Sequence, residues 1–263
     1  MRLAKKLVLF YHHLLIIGLF LCLSVLAATA QDIPNWHIDE HGAIIGGDKS
    51  QKLIYLVFTG HEFYDGAETI INILNRHSIK ASFFFTGDFY RTPDCEGIIL
   101  QLIRDGHYLG AHSDKHLLYC SWEKRDSLLV SRKIFRRDLQ DNYKAMKHFG
   151  IKKKEAFYFM PPYEWYNETI TRWTKELGLI LSNFSPGTSS NQDWTFPETG
   201  KSYISSEEIF SRIIAYEKKY TLNGFMLLTH IGADPRRKDK FYMQLDSLIL
   251  DLLAKGYKFS RLP

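Results

Sequence analysis

Short apolar segments alternate with amphipathic segments along the chain from residue 53 to residue 263. The first apolar segment, 53–59, has the sequence LIYLVFT, which is typical of a strand covered on both faces. The next segment, 67–77, has apolar residues at helical spacing. About seven such alternations, without a repeat motif or a long linker, predict parallel strands with helices outside them.

The same alternation continues over the rest of the chain. We expect strands over 81–86, 107–111, 156–160, 179–182, 224–229 and 257–261, and helices over 98–105, 123–149, 169–177, 206–220 and 241–254. Ser205 is expected to cap the helix over 206–220, with Glu208 completing a capping box. A (β/α) barrel, complete or incomplete, fits this α/β pattern better than a doubly wound sheet, because no G-x-G-x-x-G motif follows the first strand.

Residues 31–52 contain Pro34 and Trp36 and show no clear period, so we interpret them as a lead-in segment before a domain over 53–263. Residues 1–30 have a basic start, a Leu-rich centre and the ending Ala28-Thr29-Ala30, which are the three regions of a signal peptide. The alternative is an uncleaved membrane anchor, since the apolar run approaches the roughly 20 residues that span a bilayer. His12 and His13 interrupt the run and favour cleavage, so we expect a periplasmic or secreted protein.

The formal charge of +5 belongs mostly to this leader. Three of the 34 Lys and Arg residues lie in the first six positions, which leaves 31 basic against 29 acidic side chains. Such a balance gives no electrostatic case for nucleic acid or for an anionic membrane surface. We therefore expect no nucleic-acid partner, membrane contact only if the leader is retained, and no protein partner.

Two cysteines, Cys95 and Cys120, lie outside the leader. They can form one disulfide in an oxidising compartment, and two buried free thiols are an equal alternative, because the sequence does not fix the distance between their Cα atoms. A cysteine-ligated metal is not expected, since no C-x-x-C pair occurs.

Histidine and carboxylate side chains follow several of the expected strands, namely His61, Glu62, His112, His116 and His230. The carboxyl ends of barrel strands line the active face, so these groups are expected to converge on one rim. A turn of helix would place His112 and His116 on one side, which suits two nitrogens on one cation. A hydrogen-bonded pair of loop histidines is the alternative.

Five short motifs, taken in order, carry a resemblance to a known family. They are F-T-G-H-E at 58–62, H-S-D-K-H at 112–116, M-P-P-Y at 160–163, D-W at 193–194 and L-L-T-H at 227–230. Together they resemble the motifs of the polysaccharide deacetylases, the NodB-like carbohydrate esterases, with this chain a divergent member. The resemblance implies a distorted (β/α) barrel and metal-dependent removal of acetyl groups from a polysaccharide or oligosaccharide, commonly with zinc.

The resemblance also implies a role for each site residue. His112 and His116 would be two metal ligands, and Glu62 the third. His61 stands where the family has an aspartate base, and Met160 stands where it has an arginine. Neutral imidazole can act as a base near neutral pH.

For the rest of the reaction, the resemblance implies that the metal and the backbone N–H of Tyr163 hold the oxyanion. His230 would protonate the leaving group, Asp193 would orient a histidine, and Trp194 would form an apolar wall. Alternatively, His61 is a fourth ligand, and the protein is a non-catalytic carbohydrate- or metal-binding relative. A glycosidase lacks support, because Glu62 is the only acid clearly placed at an early strand end.

Overall fold

The computed structural model describes residues 35–263, of which Trp36–Pro263 form one compact unit. The expected signal peptide over 1–30 and the first residues of the lead-in segment lie outside the described residues. Among the helices of 35–263, none is long and apolar enough to cross a membrane.

Nine strands form one curled sheet in the described part of the chain. The seven parallel strands are β3 (Leu53–Gly60), β4 (Ser82–Phe85), β5 (Tyr108–Ala111), β6 (Tyr158–Phe159), β7 (Ile180–Leu181), β8 (Phe225–His230) and β9 (Lys258–Ser260). Their spatial order is β8-β3-β4-β5-β6-β7, and β9 also pairs with β3. This arrangement confirms the predicted (β/α) barrel.

The lead-in segment is part of the sheet rather than an irregular strap. It forms β1 (His37–Ile38) and β2 (Ile44–Gly46), which pair antiparallel with each other. Gly46 pairs with Phe225 of β8, while Ile44 bridges to Ser182, just beyond β7. Because β7 and β8 are the two ends of the parallel series, this segment spans the gap between them. Apolar periodicity did not reveal these strands, since each is only two or three residues long.

Helices lie between successive parallel strands, as predicted. They are α1 (Ala67–Arg76), α2 (Gly87–Arg91), α3 (Glu96–Arg104), α4 (Arg132–His148), α5 (Glu168–Glu176), α6 (Ser206–Tyr220) and α7 (Leu245–Ala254). The side chain of Ser205 caps α6 by accepting from the N–H of Glu208 at 3.2 Å. The Glu208 carboxylate accepts from Arg212 at 2.8 Å and does not complete the predicted capping box.

The predicted helix over 123–149 is correct only from Arg132 onward. Before it, the Ser121 hydroxyl accepts from the N–H groups of Glu123 and Lys124 at 3.1 and 3.2 Å. Such side-chain bonds give the backbone an alternative to the helix. The helix begins after Ser131, whose hydroxyl caps it. The part of the predicted helix before Arg132 is therefore wrong, and this loop borders the cleft described below.

Both faces of the strands are buried, as the apolar runs predicted. Along β3, Leu56 and Phe58 belong to the cluster under the helices, whereas Tyr55 and Val57 belong to a second cluster on the opposite face. Met160 is fully buried in that second cluster. Successive side chains along each strand point to opposite faces, so one set packs inside the barrel and the other packs under the helices.

Cys95 and Cys120 are both buried free thiols, so a disulfide between them is excluded. Burial raises the pKa of Cys95 to about 12, with the charge of Asp94 adding to the effect. A thiol with such a pKa is a poor nucleophile near neutral pH.

We predict that Arg237→Met strongly lowers the free energy of unfolding. The fully buried Arg237 guanidinium donates to Thr195 O at 2.6 Å, Ile204 O at 3.1 Å and the Ser206 hydroxyl at 2.9 Å. Removing it leaves buried acceptors unpaired, which we expect to cost about 3–5 kcal/mol in urea unfolding. The exposed neighbour Arg236 offers a matched control, and Arg236→Met should change the urea midpoint of unfolding far less. Equal effects would contradict the account.

Candidate functional site

A cleft of about 1340 Å³ opens at the carboxyl ends of the parallel strands. Its lining includes seven of the predicted site residues, namely His61, Glu62, His112, His116, Tyr163, Trp194 and His230. This volume exceeds that of most small-molecule pockets and leaves room for several sugar units. The predicted convergence of these residues on one rim is therefore observed.

His112 is held rigidly at the end of β5. Its Nδ1–H donates to the carbonyl of Met160 at 2.9 Å, and its backbone N–H donates to Asn142 Oδ1 at 3.0 Å. The Nε2 atom is thus the ring nitrogen left for the cleft. Burial lowers the pKa of His112 to about 3, against a smaller opposing effect of the bond to Met160, so the imidazole is neutral.

The predicted helical turn between His112 and His116 is wrong. His116 has a φ of 53°, and the N–H groups of Asp114 and Lys115 donate to the carboxylate of Asp138 on α4 at 3.2 Å each. These bonds hold the segment as a loop. The two imidazoles still lie side by side, with ring centroids 5.1 Å apart.

Asp114 is anchored from the side opposite α4. Its carboxylate accepts from Arg91 at 2.7 Å and lies against the backbone of Gly87. A Cβ at position 87 would stand 1.8 Å from Asp114 Oδ1, so only glycine fits there. The loop that carries His112 and His116 is therefore fixed from two sides.

His61 stacks on His116 with ring centroids 4.7 Å apart and an interplanar angle of 14°. Its Nδ1 lies 3.1 Å from the hydroxyl of Thr86. Burial lowers the pKa of His116 to about 2, and the neighbouring imidazoles of His112 and His61 lower it further. The buried pair His112 and His116 is thus uncharged.

The carboxylate of Glu62 does not join these imidazoles. Its side chain is 67% exposed, and Oε1 lies 3.8 Å from Nε2 of His61. Glu62 lies two residues beyond the end of β3, whereas Tyr55 and Val57 share the inner face of that strand. Thr59, the next residue with this orientation, lines the cleft and carries no carboxylate.

The donor set therefore does not fit a divalent metal as it stands. Within residues 35–263, no three His, Cys, Asp or Glu side chains are grouped so that they could hold a metal ion. A ring nitrogen binds a metal in the plane of its ring, and the nearly parallel rings of His61 and His116 hold their lone pairs in separate planes, which disfavours His61 as a further ligand beside His116. The ligand set Glu62, His112 and His116, predicted with zinc in mind, is not assembled, and we derive no reaction step through a metal.

Asp193 and His230 form a close pair at the end of β8. Asp193 Oδ1 lies 2.6 Å from His230 Nδ1, and Oδ2 accepts from the backbone N–H of His230 at 2.9 Å. Burial lowers the pKa of His230, but the buried carboxylate of Asp193 outweighs it, and the net shift is upward. The structure thus brings Asp193 to His230, with Nε2 of the ring left for the cleft.

Tyr163 and Trp194 present aromatic surface to the cleft and are 44% and 47% exposed. The ring of Tyr163 lies 4.4 Å from that of His116, which places it next to the imidazoles. Tyr163 has a φ of 59°, so the backbone turns sharply there. Exposed aromatic faces of this kind suit the apolar faces of sugar rings.

Comparison with known proteins agrees with this architecture. The polysaccharide deacetylase family matches residues 46–181, which is more than half of the chain. The chain belongs to the polysaccharide deacetylase family. Its members are carbohydrate esterases, so the recognition made from the five motifs is confirmed.

Two relatives and one solved structure illustrate the similarity. The peptidoglycan-N-acetylmuramic acid deacetylase PdaA of Bacillus subtilis is 24% identical over 226 residues, 86% of this chain and 75% of that protein. An uncharacterised 30.6 kDa protein of Geobacillus stearothermophilus is 26% identical over 145 residues, and the match covers 55% of this chain and only 50% of that protein. A family 4 carbohydrate esterase pseudoenzyme from Bacillus anthracis superposes with a TM-score of 0.65 at 17% identity, covering 85% of this chain and 68% of that one.

Glu164 is a site residue that sequence reasoning missed in this family member. Its side chain lines the cleft, and within the described residues its carboxylate has no hydrogen-bond or ion-pair partner. Burial raises the pKa of Glu164 to about 7, against the opposing charge of His230. Its place directly after Tyr163 in the third motif was the available signal.

Two further cleft residues are Trp122 and Arg125. Arg125 lies within the predicted helix over 123–149, and Trp122 was not singled out from the sequence. Both line the cleft from the loop that precedes α4. Trp122 is 54% exposed, and its ring lies 5.0 Å from that of Trp165. The wrong helix start concealed Arg125, whereas Trp122 directly precedes the predicted helix and was not considered.

We predict that Asp193→Asn lowers the pKa of His230. With the anion gone, burial becomes the dominant influence on the imidazole, and the upward shift is lost. Because the wild-type pKa is raised on folding, the pair stabilises the protein at low pH, and this contribution disappears as pH rises through the folded pKa. NMR titration of the His230 ring should show the decrease, whereas the exposed Asp126→Asn should leave the curve unchanged.

We predict that Glu164→Gln stabilises the protein more at pH 8 than at pH 4. The folded chain keeps the Glu164 proton up to about pH 7, while the unfolded chain loses it near pH 4.5, so wild-type stability falls across this range. Glutamine has no proton to lose. Urea unfolding at both pH values checks this, and a difference independent of pH would contradict the assigned pKa.

Proposed function

We propose that the protein binds an acetylated glycan of the peptidoglycan type in the cleft and does not hydrolyse it by the metal-bound-water route of its family. The proposal takes the glycan class from the relative PdaA, which is named for action on peptidoglycan N-acetylmuramic acid. It corresponds to the carbohydrate-binding alternative that the departures in the motifs left open. A structural neighbour described as a pseudoenzyme provides a precedent within the same fold.

The observation that carries the proposal is the separation of carboxylate and imidazoles. A catalytic zinc site uses three protein ligands and one open position, and the motifs led us to expect Glu62 as the anionic ligand. Glu62 is instead largely exposed, and Thr59 occupies the inner face of β3 at the cleft. Among residues 35–263 no third protein ligand is grouped with His112 and His116, so the site lacks the three-ligand set that a catalytic zinc uses to activate water.

The remaining groups suit recognition of an acetylated sugar. The exposed rings of Tyr163 and Trp194 offer stacking faces. His230 is held by Asp193, which raises the pKa of its imidazole, and when protonated it donates from Nε2 to the carbonyl oxygen of an acetyl group. The partly buried Glu164 offers a further polar contact.

Metal-dependent deacetylation is the second candidate, and one specific observation favours it. His112 donates its Nδ1–H to a backbone carbonyl, as metal-ligating histidines commonly do, and it is neutral beside His116. In that function His61 would be the base and His230 the acid. Export of the protein to the periplasm or medium, inferred from residues 1–30, would place either function at the cell envelope or on dietary glycans.

Two measurements on one purified sample separate the candidates. We expect N-acetylated peptidoglycan fragments to bind by calorimetry, and Trp194→Ala to weaken binding about tenfold through loss of one stacking face. We expect no acetate release above that of His112→Ala, with or without added zinc or cobalt.

Acetate release that requires zinc and disappears in His112→Ala would overturn the proposal in favour of the deacetylase. Absence of binding to any acetylated glycan in the panel would overturn glycan recognition itself. Trp36 provides a matched control, because it packs on Tyr55 and Tyr158 and does not line the cleft. Trp36→Phe should therefore leave glycan affinity unchanged.

A further inference from the structure

Arg125 forms a built arginine site at one edge of the cleft. Its guanidinium carbon lies 4.0 Å from the ring centroid of Trp165, and its Nε–H donates to the carbonyl of Tyr166 at 2.7 Å. The side chain is partly buried and lines the cleft. Stacking on an aromatic face and a fixed Nε–H together hold the planar fork in one orientation.

The backbone around Arg125 is fixed as well. Asn167 donates its amide to the carbonyl of Arg125 at 2.8 Å, and the indole N–H of Trp165 donates to the carbonyl of Ser121 at 3.1 Å. Two hydrogen bonds thus clamp the loop before α4 onto the segment after β6. The guanidinium is presented by two fixed segments rather than by a free chain.

The outer nitrogens of this guanidinium keep their hydrogen-bonding capacity. Within residues 35–263, no carboxylate lies within ion-pair distance of Arg125, and its η nitrogens have no hydrogen-bond acceptor. The carboxylate of nearby Asp39 accepts from the Tyr166 hydroxyl at 2.6 Å and from the N–H groups of His41 and Ala43 at 3.0 and 2.8 Å. These three bonds hold the Asp39 carboxylate, which forms no ion pair with Arg125.

A second arginine in the cleft gives an internal comparison. Arg236 stacks on Phe196 at 3.8 Å in the same manner, but its Nε–H donates to Asp234 at 2.9 Å. Among the described residues, the cleft is lined by two basic side chains of the Lys or Arg type, Arg125 and Arg236. Of the two, Arg125 alone has no protein anion, and its fork suits an anion supplied by a ligand.

We propose that Arg125 forms a carboxylate subsite, which makes the cleft selective for acetylated glycans that carry a carboxylate close to a sugar ring. A guanidinium fork pairs with a carboxylate through two parallel hydrogen bonds. The exposed ring of Trp122, packed beside Trp165, provides an adjacent face for the sugar itself. N-acetylmuramic acid has this chemistry in its lactyl group, whereas N-acetylglucosamine has no carboxylate. The inference rests on the proposed binding of acetylated glycan.

The test compares a glycan that carries a sugar carboxylate with its neutral reduced form and with two further control ligands. Calorimetry would measure the affinity of the full chain for a peptide-free oligosaccharide containing N-acetylmuramic acid, for the same oligosaccharide with its carboxyl reduced to an alcohol, and for a neutral N-acetylglucosamine oligomer. A peptide-bearing fragment, in which the amide bond to the peptide consumes the lactyl carboxyl and the free carboxylates belong to the peptide, distinguishes a sugar carboxylate from a peptide carboxylate. We expect the wild type to prefer the sugar carboxylate about tenfold or more.

Arg125→Gln should abolish this preference while leaving affinity for the reduced and neutral ligands within about twofold, and Arg125→Lys should retain part of it. Lys124→Gln is the matched control. It removes one positive charge from the exposed side chain next to Arg125, and this variant should keep the full preference. Equal wild-type affinity for charged and reduced ligands would overturn the subsite. So would a uniform loss for all ligands in Arg125→Gln, or a preference for the peptide carboxylate.

These outcomes differ from failure of the proposed function. Binding without carboxylate preference overturns only the subsite, whereas absence of binding to all four ligands overturns glycan recognition and the subsite with it. Urea unfolding of each variant shows whether a loss of binding reflects loss of folding. Arg125→Lys keeps the positive charge and the packing of the stem, so it tests the fork even if Arg125→Gln does not fold.

Discussion

The burial of both faces of the parallel sheet determines where chemistry is possible in this molecule. Between β3 and β8 the side chains alternate between two apolar clusters, so neither face of the sheet can hold a solvated polar group. The carboxyl ends of the strands are the places where side chains leave these clusters together. Every group considered for the site, from His61 to His230, lies at such an end or in the loop that follows it.

Buried polar side chains on α4 set the geometry of the most constrained of these loops. Asp138 and Asn142 lie one helical turn apart, and both accept from backbone N–H groups in the segment that begins at His112. Their hydrogen bonds replace water for a chain segment that is itself buried. The cost of leaving them unpaired explains why this segment has one conformation, although its residues follow neither helical nor strand geometry.

The sequence was sufficient for the fold, because apolar runs with period two and amphipathic segments with period 3.6 are properties of local stretches. It failed for short elements and loops, whose conformations depend on particular hydrogen bonds. The strands at 37–38 and 44–46 show no period, and the hydroxyl of Ser121 stops a helix that composition favours. Loop conformation also concealed Arg125, since its partners Trp165 and Tyr166 are distant in sequence.

The direction of the Glu62 side chain is the part of the predicted metal site that the motif match left undetermined. Resemblance supplied the residue types, and the strand end supplied an approximate position, but a side chain changes face with every residue along a strand. The sheet continues through Gly60, so Thr59 occupies the inner position and Glu62 falls beyond the sheet. The motif match carries no information on the direction of a side chain beyond the strand, whereas His112 and His116 lie together because the loop that carries them is fixed by α4.

The distribution of charge then separates the cleft into regions with different tasks. Its centre holds the neutral imidazoles of His112 and His116, whose pKa values are lowered first by burial. The Asp193 carboxylate has a close partner in His230, whereas Arg125 carries a charge with no protein counterpart among the described residues. A neutral ligand would leave that charge uncompensated in a partly buried position, so the electrostatics favour a ligand with an anionic group at the stacked arginine.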